Sequence, residues 1–414
     1  MNAALIPVVE ARQRIVSAMR PVGSETVNLA QSLGRVLADD VSARVTQPPT
    51  DVSAMDGYAV RAADLTQPPA TLERIGEAPA GGVFAGQVGA GQCVRIFTGG
   101  PVPQGADAIV MQEDTESSDD GTSVTMKFAP PSGHHIRPAG LDFRAGEIGL
   151  EAGRVLSARD LGLAAAMNVP WLRVRRRPRV AILATGDELA MPGEPLAANQ
   201  IVSSNNIALN ALVRALGGLP CDLGIARDDT ASLRTLAAAA AGSDLLLTIG
   251  GASVGDHDLV QSVLGEQGLE VDFWRIAMRP GKPLIFGQMG DIPLIGLPGN
   301  PVSALVCGLV FVKPALAALQ GFADSGQATA SALLASALPE NDQRQDYLRA
   351  RLEPGPDGDW LAQPFGKQDS SMLSRLAQAD CLIIRPPFAA AAAAGSRVEI
   401  IAFGAIDDVA ARGF

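Results

Sequence analysis

The sequence predicts a multidomain α/β and β protein. Its centre is a three-layer α/β module with a mainly parallel sheet. A β-rich module is inserted into an N-terminal helical module, and a β-barrel-like module closes the chain. Three observations carry this. The runs VAILATG (180–186), CDLGIA (221–226) and DLLLTIGG (244–251) are buried-strand segments, each followed by a helical stretch, which is the pattern of right-handed βαβ units. Before them, Pro48-Pro49, Asp56-Gly57, Gly81-Gly82 and Gly99-Gly100-Pro101 punctuate short β-branched runs. After them, Tyr347–Leu352, Trp360–Gln363, Cys381–Arg385 and Arg397–Phe403 have the texture of short strands.

Taken in order, residues 7–20 space Val9, Ile15 and Met19 at helical intervals, and Ala30 to Leu37 predicts a second helix. The segment 116–123 (ESSDDGTS) is a polar hairpin tip or loop, and 158–168 returns to a helical pattern. Helices are expected over Asn206–Leu216, Ser232–Ala241, Asp258–Glu266 and Val302–Leu319, with a strand at Pro293–Leu297. The modules predicted are therefore 1–45 with 143–176 (helical and linking), 46–142 (inserted, β-rich), 177–324 (α/β) and 325–414 (C-terminal β).

Composition narrows the functional classes. Lys+Arg 33 against Asp+Glu 44 leaves a formal charge of −11, so a polyanion such as nucleic acid is not expected as a partner. With 47% hydrophobic and 19% charged residues, a large core is available and wholesale disorder is excluded. The four cysteines are scattered and form no CxxC, which argues against a disulfide framework and a zinc knuckle. The N-terminus, interrupted by Glu10, lacks the pattern of a secretory signal, and the apolar run Val302–Val312 is expected to be too short to span a bilayer. A cytoplasmic protein without membrane contact is the expectation.

In an open α/β sheet, ligands sit at the carboxyl ends of the strands. Three loops occupy that edge: Thr185-Gly186-Asp187-Glu188, then Gly250-Gly251-Ala252-Ser253-Val254-Gly255, and Pro298-Gly299-Asn300-Pro301-Val302-Ser303. Gly-rich strand-to-helix turns are common structural punctuation, and Asn300 before Pro301 is also a good helix N-cap and first-turn pair. A helix N-terminus is equally an anion site, and three such loops on one edge point to a phosphorylated ligand. Asp187, Glu188, Asp228, Asp229, Asp256 and Asp258 accumulate beside them. Solvated loop acids are the plain alternative, but carboxylates next to phosphate loops also suit Mg²⁺, which takes oxygen ligands. The stretch Trp274 to Pro283 sets Arg275, Arg279 and Lys282 among prolines and a glycine, the make-up of a pre-shaped oxyanion pocket in an otherwise acidic protein. No nucleophile–histidine pair is visible, so triad hydrolysis is not expected.

Together SAMDGYAV, IFTGGPVPQGADAIV, RPAGLDF, ATGDEL, SSNN, GGASVGDHD, WRIAMRPGKPLIFG, GLPGNPVSAL and QDSSMLS, running in order from about residue 53 to 374, resemble the molybdopterin molybdenumtransferase family, the MoeA-type proteins related to the gephyrin E domain. The resemblance implies an elongated homodimer with four modules per chain. It implies molybdenum insertion into adenylyl-molybdopterin from molybdate with Mg²⁺, releasing AMP and forming molybdenum cofactor. Carried over by position, Asp56, Thr98, Glu188, Asp258 and Lys282 would be catalytic, with Glu188 and Asp258 holding the metal. Asp142, Asp228, Gly250, Gly251, Ser253, Gly255, Arg279, Pro283, Pro298, Gly299, Asn300, Pro301, Ser303, Arg349 and Ser370 would bind substrate. Transient partners implied are the adenylyltransferase and molybdoenzyme-maturation proteins. The chain departs from the family in having Arg275 and Arg279 where Lys is frequent, and Asp369 where Gly is usual just before Ser370. Two alternatives remain: a molybdopterin adenylyltransferase, against which the inserted and C-terminal modules argue, and a non-enzymatic gephyrin-like anchoring protein, which would carry a long linker or a fused second enzyme.

Overall fold

The computed structural model describes residues 5–79, 81–250, 259–266, 268–322, 328–355 and 358–403. Its central sheet runs in the order Leu219–Ala226, Arg179–Thr185, Leu245–Ile249, Ile292–Leu297, Pro283–Met289, Leu269–Arg275. The first four strands run parallel, Pro283–Met289 runs antiparallel to both its neighbours, and Leu269–Arg275 therefore points the same way as the first four. Alternation along each strand sorts the side chains onto two cores. On one face Val180, Ile182, Leu247 and Ile295 pack with the helix Asn205–Ala215 and the long run Pro301–Leu319. On the other, Ala181, Leu183 and Leu246 pack with the helices Thr230–Ala238 and Leu259–Glu266.

Pro301–Leu319 corrects one expectation. Its π turn at Gly308–Val312 joins two α segments into a single 19-residue helix with mean hydropathy 2.1, so the run is long enough to cross a bilayer. It is also 72% buried inside the fold, and its apolar character is that of a core helix. Nor did the sequence reveal the antiparallel pair Leu269–Arg275 and Pro283–Met289, because the proline- and arginine-rich turn between them masks the alternation.

The N-terminal segment differs from its helical forecast. Val8–Ala18 is a helix, but its Val8, Ala11 and Ile15 pack into the α/β core against neighbours such as Phe311. Ala30–Leu37 is no helix: a 3₁₀ turn at Leu29–Gln31, with Asn28 accepting from the Gln31 N–H, gives way to bridges at Val36 and Leu37. Residues around it form paired short strands, Ser24–Asn28 with Trp171–Arg175 and Val41–Ser42 with Ile148–Leu150, beside one helix, Ala158–Ala166.

The inserted segment folds as a six-stranded sheet with Gly57–Val60 second from one edge. Asp56-Gly57 is the dipeptide of a tight hairpin turn, yet Gly57 begins a strand flanked on both sides. Glycine is needed there because a Cβ would overlap the Val110 carbonyl oxygen. At the C-terminus Gln345–Pro354, Trp360–Pro364, Ala330–Leu334, Arg397–Ala402 and Cys381–Arg385 close on themselves, since the last also pairs with the first. Met278–Arg279 of the α/β module adds to this barrel, parallel to Gln345–Asp346.

Candidate active site

A cavity of about 700 Å³ opens at the carboxyl ends of the parallel strands, where the sheet topology puts it. Thr185 and Glu188 from one strand end, Gly250 from the next, and Pro298, Gly299, Asn300 and Pro301 from a third line it, with Pro283 alongside. Of the residues singled out in the sequence, Glu188, Gly250, Pro283, Pro298, Gly299, Asn300 and Pro301 are thus brought together. Gly251, Ser253, Gly255 and Asp258 lie outside the described residues, as does Asp256.

The rest of the lining was missed. Ser203, Ser204 and Asn205 enter from the start of a helix, and Asn205 Nδ2 donates to the Gly299 carbonyl at 2.7 Å. Leu189–Ala190 pairs in parallel with Ile201–Val202, folding a flap over this side; Ile201 N–H donates to the Glu188 carbonyl at 2.7 Å. The signal was present as SSNN, a polar cluster opening a helical repeat. Ser371 and Leu373 come from the C-terminal module.

Arg349 and Ser370 hold that wall in place from behind, and Ser370 does not itself line the cavity. Arg349 is 1% exposed and does not line the cavity. Its Nε donates to Gln368 Oε1 at 3.0 Å and its Nη1 to the Asp369 carbonyl at 2.9 Å, so it shapes the loop 368–372 from beneath. Burial pulls its pKa below the usual guanidinium value, opposed by the Asp369 charge. Ser370 then bonds the Pro301 helix twice: Asn300 Nδ2 donates to Ser370 Oγ at 2.9 Å, and Val302 N–H donates to the Ser370 carbonyl at 3.1 Å. Asn300 therefore makes no side-chain cap of its own helix, and one helix-terminal N–H expected to face an anion is taken by Ser370. Asp369, absent from the family pattern, turns its Oδ1 onto the hydroxyl and N–H of Ser371 at 2.7 and 2.9 Å. Those hydrogen bonds, hydroxyl first, hold its carboxyl below the ordinary range.

Several expected residues sit elsewhere. Ser303 is buried in the helix and does not line the cavity. Asp228 lies at the adjacent strand end, exchanging backbone-to-carboxylate bonds with Asp187 at 3.2 and 3.4 Å. Lys282 is exposed, and its carbonyl accepts from Ile276 N–H. Arg279 is engaged by carboxylates: Nε donates to Asp346 Oδ1 at 2.8 Å, Nη2 to Asp346 Oδ2, and Nη1 to Asp342 Oδ2 at 3.3 Å.

Asp56, Thr98 and Asp142 belong to the inserted module and do not line this cavity. Asp56 Oδ1 accepts from Thr98 N–H at 2.7 Å and Thr98 Oγ1 at 2.8 Å. These bonds, backbone first, lower its pKa, and Arg95 adds to the effect. Arg95 was not anticipated; its guanidinium lies over the rings of Tyr58 and Phe97, about 5 Å from each centroid. Asp142 lines a separate groove of about 550 Å³ with Gly99, Pro101 and Arg137.

For Mg²⁺, the donor set decides the fit. Among the described residues no His or Cys lines the main cavity, and Glu188 is the carboxylate that does. Among the described residues no group of three metal-ligating side chains occurs. Mg²⁺ keeps several waters and commonly binds through one or two carboxylates plus substrate phosphates, so the Glu188 carboxylate at this cavity suits it.

Comparison with known proteins agrees along the whole chain. The sequence profile of the MoeA N-terminal region (domain I and II) matches residues 6–168, that of a probable molybdopterin binding domain matches 181–318, and that of the MoeA C-terminal region (domain IV) matches 331–403. Molybdopterin molybdenumtransferase of Haemophilus influenzae is 35% identical over 397 residues, covering 95% of this chain and 98% of the relative. Molybdopterin molybdenumtransferase 2 of Mycobacterium tuberculosis is 37% identical over 406 residues, covering 95% and 98%. The crystal structure of a molybdopterin biosynthesis MoeA protein from Pyrococcus horikoshii superposes with a TM-score of 0.84 at 31% identity, covering 97% of this chain and 100% of that one. With barrel, inserted sheet and α/β module all accounted for, this chain belongs to the molybdopterin molybdenumtransferase family, whose curated members are transferases of molybdenum cofactor biosynthesis.

Proposed function

We propose that this chain inserts molybdenum into adenylylated molybdopterin, using molybdate and Mg²⁺, with release of AMP and formation of molybdenum cofactor. The observation that carries the reading is the cavity itself. It joins the strand ends of the α/β module to the Ser370–Ser371 loop of the barrel, and its volume of about 700 Å³ is in the range of small-molecule and cofactor sites. An adenylyltransferase needs only the α/β module; here a second module builds part of the wall.

Glu188, with Asp258, would hold Mg²⁺, which would supply positive charge against the substrate phosphates. The chain's own groups do the rest. Lys282 and the Pro283 turn supply positive charge for the molybdate oxyanion. Gly250 and the Pro298–Pro301 loop bring backbone close to the substrate, and Asn205 braces that loop through the Gly299 carbonyl. Arg349 keeps the 368–372 loop in shape so that Ser370 and Ser371 close the far side.

The protein works as a homodimer in the cytoplasm, meeting the adenylyltransferase and molybdoenzyme-maturation proteins in passing. Asp56, Thr98 and Asp142 lie apart from the cavity of their own chain, which supports their delivery to the cavity of the partner subunit. Incubation with adenylyl-molybdopterin, Mg²⁺ and molybdate tests the reaction: AMP release should depend on molybdate. Molybdate-independent turnover, or none, would overturn it. Mixed dimers of Asp56→Asn and Asp258→Asn chains should regain activity that neither homodimer has; no recovery would sink the shared site.

A further inference from the structure

We propose that Asp346 is a positioning residue for the turn 276–283, which reaches the cavity at Pro283, acting through Arg279. This rests on the functional reading above, and it changes the part Arg279 plays. The sequence suggested an oxyanion contact, but the guanidinium fork is spent on the barrel. Asp346 receives it on both carboxylate oxygens, and Asp342 and Asn341 accept from the two Nη atoms, each at 3.3 Å. A bidentate pair fixes direction as well as distance.

The Asp346 carboxylate is buried, at 6% side-chain exposure, on a strand whose backbone also pairs with the turn, Met278 beside Gln345 and Arg279 beside Asp346. The Gln345 N–H donates to the Ala277 carbonyl at 2.8 Å, so the turn is held before the arginine as well as at it. Two residues on, Gly281 rests on the core helix; a Cβ there would stand 2.5 Å from Cys307 Sγ. Next come Lys282 and the cavity-lining Pro283. The turn thus has two fixed points, the ion pair and the glycine contact, and Lys282 is the first residue beyond them.

The same strand carries Arg349, which shapes the loop of Ser370 and Ser371. One barrel strand therefore holds two segments that reach the cavity, one at Pro283 and one at Ser371. Burial pushes the Asp346 carboxyl above its ordinary value, against the pull of Arg279, as befits an acid kept in place by a single strong partner.

Two roles for the pair make opposite forecasts. If Asp346 positions the turn, Asp346→Asn loosens Lys282 and weakens molybdate. If Arg279 is itself an oxyanion ligand held back by Asp346, the same change frees its fork and strengthens molybdate. Molybdate-dependent AMP release should be titrated on the full-length protein for the wild type, Asp346→Asn, Asp346→Glu, Lys282→Ala and the double variant Asp346→Asn with Lys282→Ala. The expected result is about a tenfold higher half-saturating molybdate for Asp346→Asn with kcat within twofold, and a smaller rise for Asp346→Glu, which keeps the charge. In the Lys282→Ala background the Asp346→Asn effect should vanish. An unchanged or lower half-saturating molybdate in Asp346→Asn overturns the proposal, as does an effect that persists without Lys282. Should Asp346→Asn not fold, Asp346→Glu alone decides, a wild-type titration counting against the role. A wild type that releases no AMP with molybdate overturns the functional reading, and this inference with it.

Discussion

Asn300 and Ser370, 70 residues apart in different modules, meet beside the cavity through a 2.9 Å hydrogen bond from Asn300 Nδ2 to Ser370 Oγ. Next to it the Val302 N–H donates to the Ser370 carbonyl. The α/β module and the barrel are thus joined beside one wall of the cavity. Asn300→Ala removes the side-chain half only. The expected cost is about 0.5–1.5 kcal/mol of unfolding free energy, read from denaturant curves, together with a raised KM for adenylyl-molybdopterin. A raised KM without any loss of stability would mean that Asn300 touches substrate and does not brace the wall.

Glu188 and Lys282 should fail in different titrations. Glu188→Gln removes the carboxylate of the cavity and should raise the Mg²⁺ concentration needed for half-maximal AMP release, leaving the molybdate response near normal. Lys282→Ala should do the reverse. Both are exposed side chains, for which substitutions away from a site cost within about 0.5 kcal/mol of stability. Two wild-type titrations would therefore remove both from the site.

Asp56 is exposed and its Oδ1 is already satisfied by Thr98. Asp56→Asn keeps an Oδ1 acceptor for both Thr98 donors, so it should lower the unfolding midpoint only slightly while lowering kcat by about 10²-fold, the lower end for a positioned acid or base. Comparing kcat with the thermal midpoint separates the two effects; a variant that loses stability and activity together would assign Asp56 to the fold.

Acid unfolding of the N-terminal module should depend on Asp160. Burial pushes this carboxyl up, but hydrogen bonds from the Ser157 hydroxyl and N–H, with Arg154, outweigh it and leave the pKa lowered. A carboxyl lowered in the folded state contributes stability above its unfolded pKa, near ~3.9, and loses it as pH falls through the folded value. Asp160→Asn should be less stable at pH 7 and converge on the wild type toward pH 2. Ser157→Ala, which breaks the capping box on the helix Ala158–Ala166, should cost about 1 kcal/mol at neutral pH.

Gly57→Ala would press a methyl against the backbone oxygen of Val110 in the next strand. Overpacking of this kind costs about 1–3 kcal/mol. Calorimetry should show the inserted sheet melting earlier, with the α/β transition in place.

Much of this protein was legible along the chain. The apolar strand runs of the α/β module and the Gly- and Pro-punctuated β segments depend on period and turn chemistry, which act over a few residues. The loops at 185–188 and 298–301 followed from the strand-end rule, and Glu188, Gly250 and Pro298 to Pro301 do share one cavity. Where a single local signal has two physical uses, the sequence could not choose between them. Asp56-Gly57 suits a turn or a close strand approach, and only the Val110 carbonyl selects the second. The helix Pro301–Leu319 suits a membrane or a core by length and composition, and only its burial in the fold selects the core. Arg279 suits an oxyanion or a carboxylate; Asp346, 67 residues away, takes it because the barrel strand lies alongside the turn. Charge and shape along the chain determined which groups were available, whereas pairing over long separations decided which of them meet, since that depends on how modules dock and not on neighbours in sequence.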